Sequence, residues 1–177
     1  ISSRDGEDWI AENERLLCEQ ISQGDEVHVK THRDWWSAYW GKSSVKLPDA
    51  LAKRQWDMTN YLFASCSRKG CYPMPLQGVW TADDGTLPPW KGDYHHDLNT
   101  ELSYSHYLKA NHLEEGESFL DLLWSLRKRG QDFAKTFYHA DGCCLPGVMT
   151  IDGQPLGGWG MYSISPTNQV WIARCFS

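Results

Sequence analysis

Apolar residues recur at helical intervals through most of this chain, and that period limits the folds open to it. From Glu114 or Glu115 to about His139, Phe119, Leu122, Leu123, Leu126, Phe133 and Phe137 repeat at spacings of three, four and seven. This spacing lines them up on one side of a helix. It predicts one long helix, kinked where Gly130 interrupts it. The same reading predicts a helix over residues 7–23, stopped by Gly24, and a short aromatic-faced helix over 32–40 carrying Trp35, Trp36, Tyr39 and Trp40. Pro48-Asp49 opens another, running to Ser67. Its Leu51, Met58 and Leu62 form one stripe and Ala52, Phe63 and Cys66 a second, a face wide enough to pack on two sides. Residues 100–110 and 168–176 complete the set, the last capped by Thr167 or Asn168. Convincing strands are few. A mainly α protein built of helical hairpins is the expected class.

Two stretches escape the helical period. One covers residues 76–104, LQGVWTADDGTLPPWKGDYHHDLNTELSY, which crowds Trp80, Trp90, His95, His96, Asp97, Asn99 and Glu101 into one window. Pro88, Pro89, Gly78, Gly85 and Gly92 keep it largely irregular. A loop can aim many side chains at one point, so such a window is where a site is expected. The other runs from Cys143 to Thr167 and holds Gly147, Gly153, Gly157, Gly158 and Gly160. The glycine spacing fits no phosphate-binding loop. Those at 157, 158 and 160 would instead let this loop approach a ligand, with Trp159, Tyr162 and Asn168 as secondary contacts.

Composition narrows the function classes. A net charge of -6 over 177 residues argues against a nucleic-acid partner. No run of ~18 apolar residues exists to span a membrane. The opening residues carry Arg4, Asp5, Glu7 and Asp8 and do not read as a signal peptide. The six cysteines match no zinc ribbon or disulfide scaffold, and most are expected to be buried free thiols. Ten tryptophans suit both cores and sugar platforms.

The pieces HRDWWSAYWGKSSVKLPD, LFASCSRKG, LQGVW, PPW and DLNTELSY follow one another in an order that resembles glycoside hydrolase family 95, the α-L-fucosidase and α-L-galactosidase family. Weaker similarity continues to Phe176. The resemblance implies part of an (α/α)6 toroid, the six-hairpin glycosidase fold. Residues 1–30 would be an N-terminal linker helix and 31–177 the N-terminal part of the catalytic domain. A whole toroid needs roughly twelve helices, beyond the usual size of one domain, so the remainder of the domain is an expected partner. Members often carry Asn-x-Asn-Thr where this chain has Asp97-Leu98-Asn99-Thr100. Asp97 stands where the family's first Asn serves as base, so a carboxylate could do that work directly. The general-acid Glu of the family would lie beyond residue 177. Relatives are often exported, which points to an extracellular or periplasmic setting.

Glycoside hydrolysis needs one carboxyl to protonate the leaving oxygen and a second group to activate water or attack. Asp97 is the candidate base and Asn99 the candidate for holding the water. Trp80, Trp90, His95, His96 and Glu101 are the candidate substrate contacts. The expected reaction is removal of a terminal α-linked sugar, fucose- or galactose-like, from an oligosaccharide or polysaccharide, with inversion and without a cofactor. Plainer roles compete. Asp97 could cap the helix that follows, the histidines could be structural, and Trp80 and Trp90 could be core. Two other functions stay open. One is a carbohydrate-binding protein on the same scaffold. The other is a metal-dependent hydrolase using His95, His96 and Asp97, although no HExxH or paired CxxC supports it.

Overall fold

Gly24 splits the first helical stretch in two. Its φ of +80° is inexpensive only for glycine, and it ends α1 (Trp9–Gln23) and begins α2 (Asp25–Gly41). The computed structural model describes residues 6–78, 86, 90, 92–158 and 160–177. They fall into two compact units, one ending at Ser44 and one spanning Val45–Ser177. In the first unit, α2 starts seven residues before the predicted His32, because Asp25 and Glu26 place negative charge at the positive end of the helix. The residue 30–31 boundary expected for a linker helix lies inside α2. The aromatic face stacks on itself at i, i+4 spacing: Trp35 on Tyr39 at 5.4 Å and Trp36 on Trp40 at 5.9 Å between ring centroids.

The second unit begins with α3 (Ala50–Cys66). Asp49 caps it by accepting a hydrogen bond from the Ala52 N–H at 2.8 Å. Only the C-terminal part of one apolar stripe is buried. Phe63 and Cys66 enter the core together with Ala64, while Ala52 of the same expected stripe is exposed, as are Leu51, Met58 and Leu62, so α3 is not packed on both sides. The helix expected over 100–110 reduces to α4 (Asn99–Ser103). The chain turns at Tyr104, whose hydroxyl accepts from the Met74 N–H at 2.7 Å and meets Ser67 Oγ at 3.0 Å. Ser67 Oγ also reaches the Glu115 carbonyl at 2.7 Å and Ser118 Oγ at 2.8 Å. This buried knot ties the end of α3 to α5 (Leu113–Ser125).

The long helix predicted over 114–139 is two helices, α5 and α6 (Arg127–Tyr138), which meet at Leu126 rather than kinking at Gly130. Side chains compete for the carbonyls there: Ser125 Oγ donates to Leu122 O at 2.7 Å and Arg127 Nη1 to Trp124 O at 2.5 Å. Gly130 has a different purpose. A Cβ at that position would lie 2.5 Å from Cys143 Sγ, and the Cys144 N–H donates to the Gly130 carbonyl at 3.0 Å. The glycine lets the second irregular stretch cross α6.

That stretch meets the first one as a two-stranded antiparallel ribbon. β1 (Tyr94–His95) pairs with β2 (Val148–Met149), with Tyr94 opposite Met149 and His95 opposite Val148. A 3-10 turn (Gly160–Ile164) and α7 (Asn168–Arg174) follow; Thr167 makes no side-chain cap. The core gathers around Phe119, which stacks on Tyr104 at 4.6 Å and lies 5.7 Å from Trp171. All six cysteines are free, but only Cys66 and Cys144 are buried, fewer than expected; Cys18, Cys71 and Cys143 are exposed. The described architecture is mainly helical. Among the described residues no helix is long and apolar enough to cross a membrane.

Candidate active site

The ribbon and the contacts on either side of it show where the side chains of residues 93–96 go. An extended chain sends successive side chains to opposite sides. Asp93 and His95 therefore share one side, Tyr94 and His96 the other. On the first side, His95 Nδ1 lies 2.6 Å from Asp93 Oδ1, with both side chains buried. A carboxylate is acceptor-only, so the imidazole donates through Nδ1. Trp90 stands edge-on to the His95 ring at 6.0 Å and is 46 % exposed. Asp93 and Tyr94 also form part of the wall of a cavity of about 440 Å³, with Cys66, Tyr72, Pro73 and Ile151 among its other walls. Asp97 lies outside that wall.

On the second side, His96 is completely buried between Tyr94 and Phe119, at ring distances of 6.4 and 6.0 Å. Neither of its ring nitrogens has a hydrogen-bond partner. Burial, with a smaller contribution from His95, holds its titration down at about 4; Asp97 pulls weakly the other way. His96 is therefore neutral near pH 7 and packs in the core. Its backbone N–H donates to Gly147 O at 2.7 Å. Tyr94 anchors the same side by donating its hydroxyl to Pro73 O at 2.7 Å.

Asp97 is half-buried, and its Oδ1 is shielded without a hydrogen-bond partner. It does not cap α4. The cap position is Leu98, and no side-chain bond is made there. Leu98 has helical backbone angles, which sends Asp97 and Asn99 in different directions: Asn99 is exposed at the start of α4. Glu101 is half-buried one turn on. Its carboxyl titrates above the ordinary value, first through desolvation and then through the Asp97 charge. Asp97 and Glu101 thus form a carboxylate pair close enough to sense each other. Trp80 and Trp159 lie outside the described residues.

The second loop packs tightly against protein at Gly147 and leaves open space at Gly157, Gly158 and Gly160. A Cβ on Gly147 would lie 2.4 Å from Tyr162 O and 3.0 Å from Asn168 Nδ2, whereas the other three have nothing within 4 Å. Asn168 is buried and Tyr162 exposed. Asp93 is the residue the sequence reading missed. The signal available for it was its i, i+2 relation to His95, which becomes informative only once the backbone is known to be extended. Among the described residues, no three His, Cys, Asp or Glu side chains come together in a way that could hold a metal ion.

Comparison with known proteins agrees with the order of motifs. Residues 22–176 match the glycosyl hydrolase family 95 catalytic domain. The chain is 32 % identical over 114 residues to alpha-L-fucosidase 2 of Arabidopsis thaliana, an alignment covering 63 % of this chain and 13 % of that protein. It is 44 % identical over 48 residues to a probable alpha-fucosidase A of Aspergillus niger, covering 27 % of this chain and 6 % of that protein. The chain thus spans a small part of the length of these curated relatives. It belongs to glycosyl hydrolase family 95.

Proposed function

We propose that this chain is the N-terminal part, from about residue 31, of an (α/α)6 catalytic domain that removes terminal α-linked sugars, fucose- or galactose-like, from glycans with inversion. The observation that carries the reading is Asp97. It is a half-buried carboxylate in a family 95 domain, beside a second carboxylate and two residues along the chain from a histidine held by Asp93. A carboxylate that is only partly buried can meet water and take a proton from it. In this scheme Asp97 activates the nucleophilic water, and the exposed Asn99 amide contacts it or a sugar hydroxyl at the mouth. His95 and Trp90 contact the sugar, with Glu101 at the rim. His96 supports that surface from beneath. Trp80 is assigned to the same pocket from sequence. The proton donor comes from the remainder of the domain.

The test is a screen of the intact gene product against aryl α-glycosides of fucose, galactose, rhamnose and arabinose. The first-formed sugar anomer is followed by NMR. Release of one sugar with inverted configuration is the expected outcome. Tight binding of that sugar without turnover would favour a carbohydrate-binding protein, and no reaction or binding with any of the four would end the proposal.

A further inference from the structure

Three concavities follow one another across the second unit, each sharing walls with the next. The cavity of about 440 Å³ beside Asp93 and Tyr94 shares Tyr72 and Ile151 with one of about 480 Å³ that opens along α6. That one in turn shares Lys128 and Asp132 with a third of about 300 Å³ near Asp141. Asp97, Asn99, Glu101 and His95 wall none of the three. Each has the volume of a small-molecule site, ~300–1,000 Å³, and hollows joined in series suit an extended chain. The middle one is walled by a closed turn. The Thr150 N–H donates to Gln154 O and the Gly153 N–H to Thr150 O, both at 2.9 Å. Gly153, at φ +73°, brings that turn against α6: a Cβ there would lie 3.1 Å from Arg129 Cδ and 3.3 Å from Leu126 Cδ1.

The lining selects the class of ligand. Buried Leu122 and Leu126 supply apolar wall, and Tyr72, 59 % exposed, stands where the first two hollows meet. Around them the charges balance: Lys128 and Arg129 against Asp132 and Asp152, then Lys135 against Asp141. A polyanion finds no net positive field there, and an apolar ligand would strip water from charged groups without replacing it. A neutral sugar meets both demands. Its hydroxyls donate to carboxylates and accept from cations, and its C–H face covers an aromatic ring. We propose that this track holds the uncharged backbone of a glycan, outside the Asp97 site. One end of the track is walled by Asp93 and Tyr94, which ties it to the loop that carries the candidate site. The proposal rests on the hydrolase reading above for the class of ligand and for nothing else.

Calorimetric titration of the intact protein with cellohexaose, xylohexaose and mannohexaose tests it. These are neutral β-linked chains without an α-linked terminal sugar, so they probe the track and not the reaction. At least one should bind, and polygalacturonate should bind more weakly or not at all. Tyr72→Ala should weaken the binding about tenfold, the scale of losing an aromatic anchor, and Tyr72→Phe should retain it. Arg129→Met, which keeps the aliphatic stem against Gly153, should weaken it about threefold to tenfold. Turnover of an aryl α-glycoside should be the same in all three variants as in wild type. No binding of any neutral chain, binding that Tyr72→Ala leaves unchanged, or a preference for polygalacturonate would overturn the proposal. So would loss of binding in Asp97→Ala, which would put the chain in the reaction site. If Tyr72→Ala does not fold, Arg129→Met reads the same track by the same criterion. A wild type that binds a hexaose but cleaves none of the four aryl glycosides ends the hydrolase reading and leaves the track standing. An active wild type that binds no hexaose removes the track alone.

Discussion

The helices before Ser44 and the crossed loops of the second unit divide their labour in an unusual way. α1 buries none of its residues and α2 buries only Tyr39. Their side chains are occupied locally, Arg15 with Glu12 and Glu19, and Lys30 with Asp34. The irregular segments do the opposite. Tyr94, His95 and His96 are buried, as are Cys144 through Met149, and the two runs pair to form the ribbon. Helical periodicity therefore marks regular backbone in both units, but it goes with burial mainly in the second, where α5 places Phe119, Leu122 and Leu123 in the core. In this family 95 domain the loops carry the candidate site and share the core with α3, α5 and α7. A helix satisfies its own backbone wherever it sits, whereas a loop can be buried only if every polar group finds a partner or titrates to neutrality.

The largest effect that would break this comparison is on rate. Asp97→Ala in the intact protein should lower kcat by about 10²–10⁴-fold, the range of a lost acid–base group. The thermal midpoint should hardly move, since this carboxylate makes no cap and its shielded oxygen no hydrogen bond. A large fall in the midpoint with modest loss of rate would place Asp97 with the structural residues of the loop.

A smaller effect separates the two sides of the ribbon. His96 ordinarily titrates near 6.5 and in the folded protein near 4. Above pH 6.5 the ring is neutral in both states and the full stability is present. As pH falls from about 6.5 to about 4, the unfolded chain takes up a proton that the folded chain refuses, and stability is lost. The loss approaches roughly 3 kcal/mol at about 1.4 kcal/mol per pKa unit. Denaturant midpoints measured across that window should fall in wild type and flatten in His96→Leu. Burial also lowers the titration of His106, which leaves a residual slope in the variant. An unchanged slope in His96→Leu would mean that this imidazole is hydrated in solution.

Most helices were legible because their signals are local. Gly24 as a stop and Pro48-Asp49 as a start were read directly, and Asp49 does cap α3. The errors came where a distant residue decided the outcome. Leu126 and Gly130 could not be told apart as the break, because the reason for Gly130 is Cys143 crossing above it. Tyr104 reads as helix until Ser67 and Met74 are known to engage its hydroxyl. The histidines illustrate the same limit. Adjacent in sequence and alike in chemistry, they part company because two-residue alternation sends one to Asp93 and the other to Phe119. No composition or motif distinguishes them without the pairing to β2. The position of Asp97 came from an ordered set of motifs, and its helical successor Leu98, which separates it from Asn99, did not.

The smallest effect sharpens the contrast between the two kinds of helix start. α3 opens with a side-chain cap, the Asp49 carboxylate on the Ala52 N–H at 2.8 Å. α1 opens at Asp8, the same residue type, with no side-chain cap bond. Asp8 has φ −89° and ψ 19°, whereas Asp49 has φ −85° and ψ 120°. Only the extended geometry swings the carboxylate over the free N–H groups of the first turn. Asp49→Ala should therefore cost about 1 kcal/mol, and Asp8→Ala should leave the denaturation midpoint where it is. Equal losses at both positions would mean that Asp8 adopts the extended cap in solution, and that α1 is held at its start as firmly as the helix that enters the core.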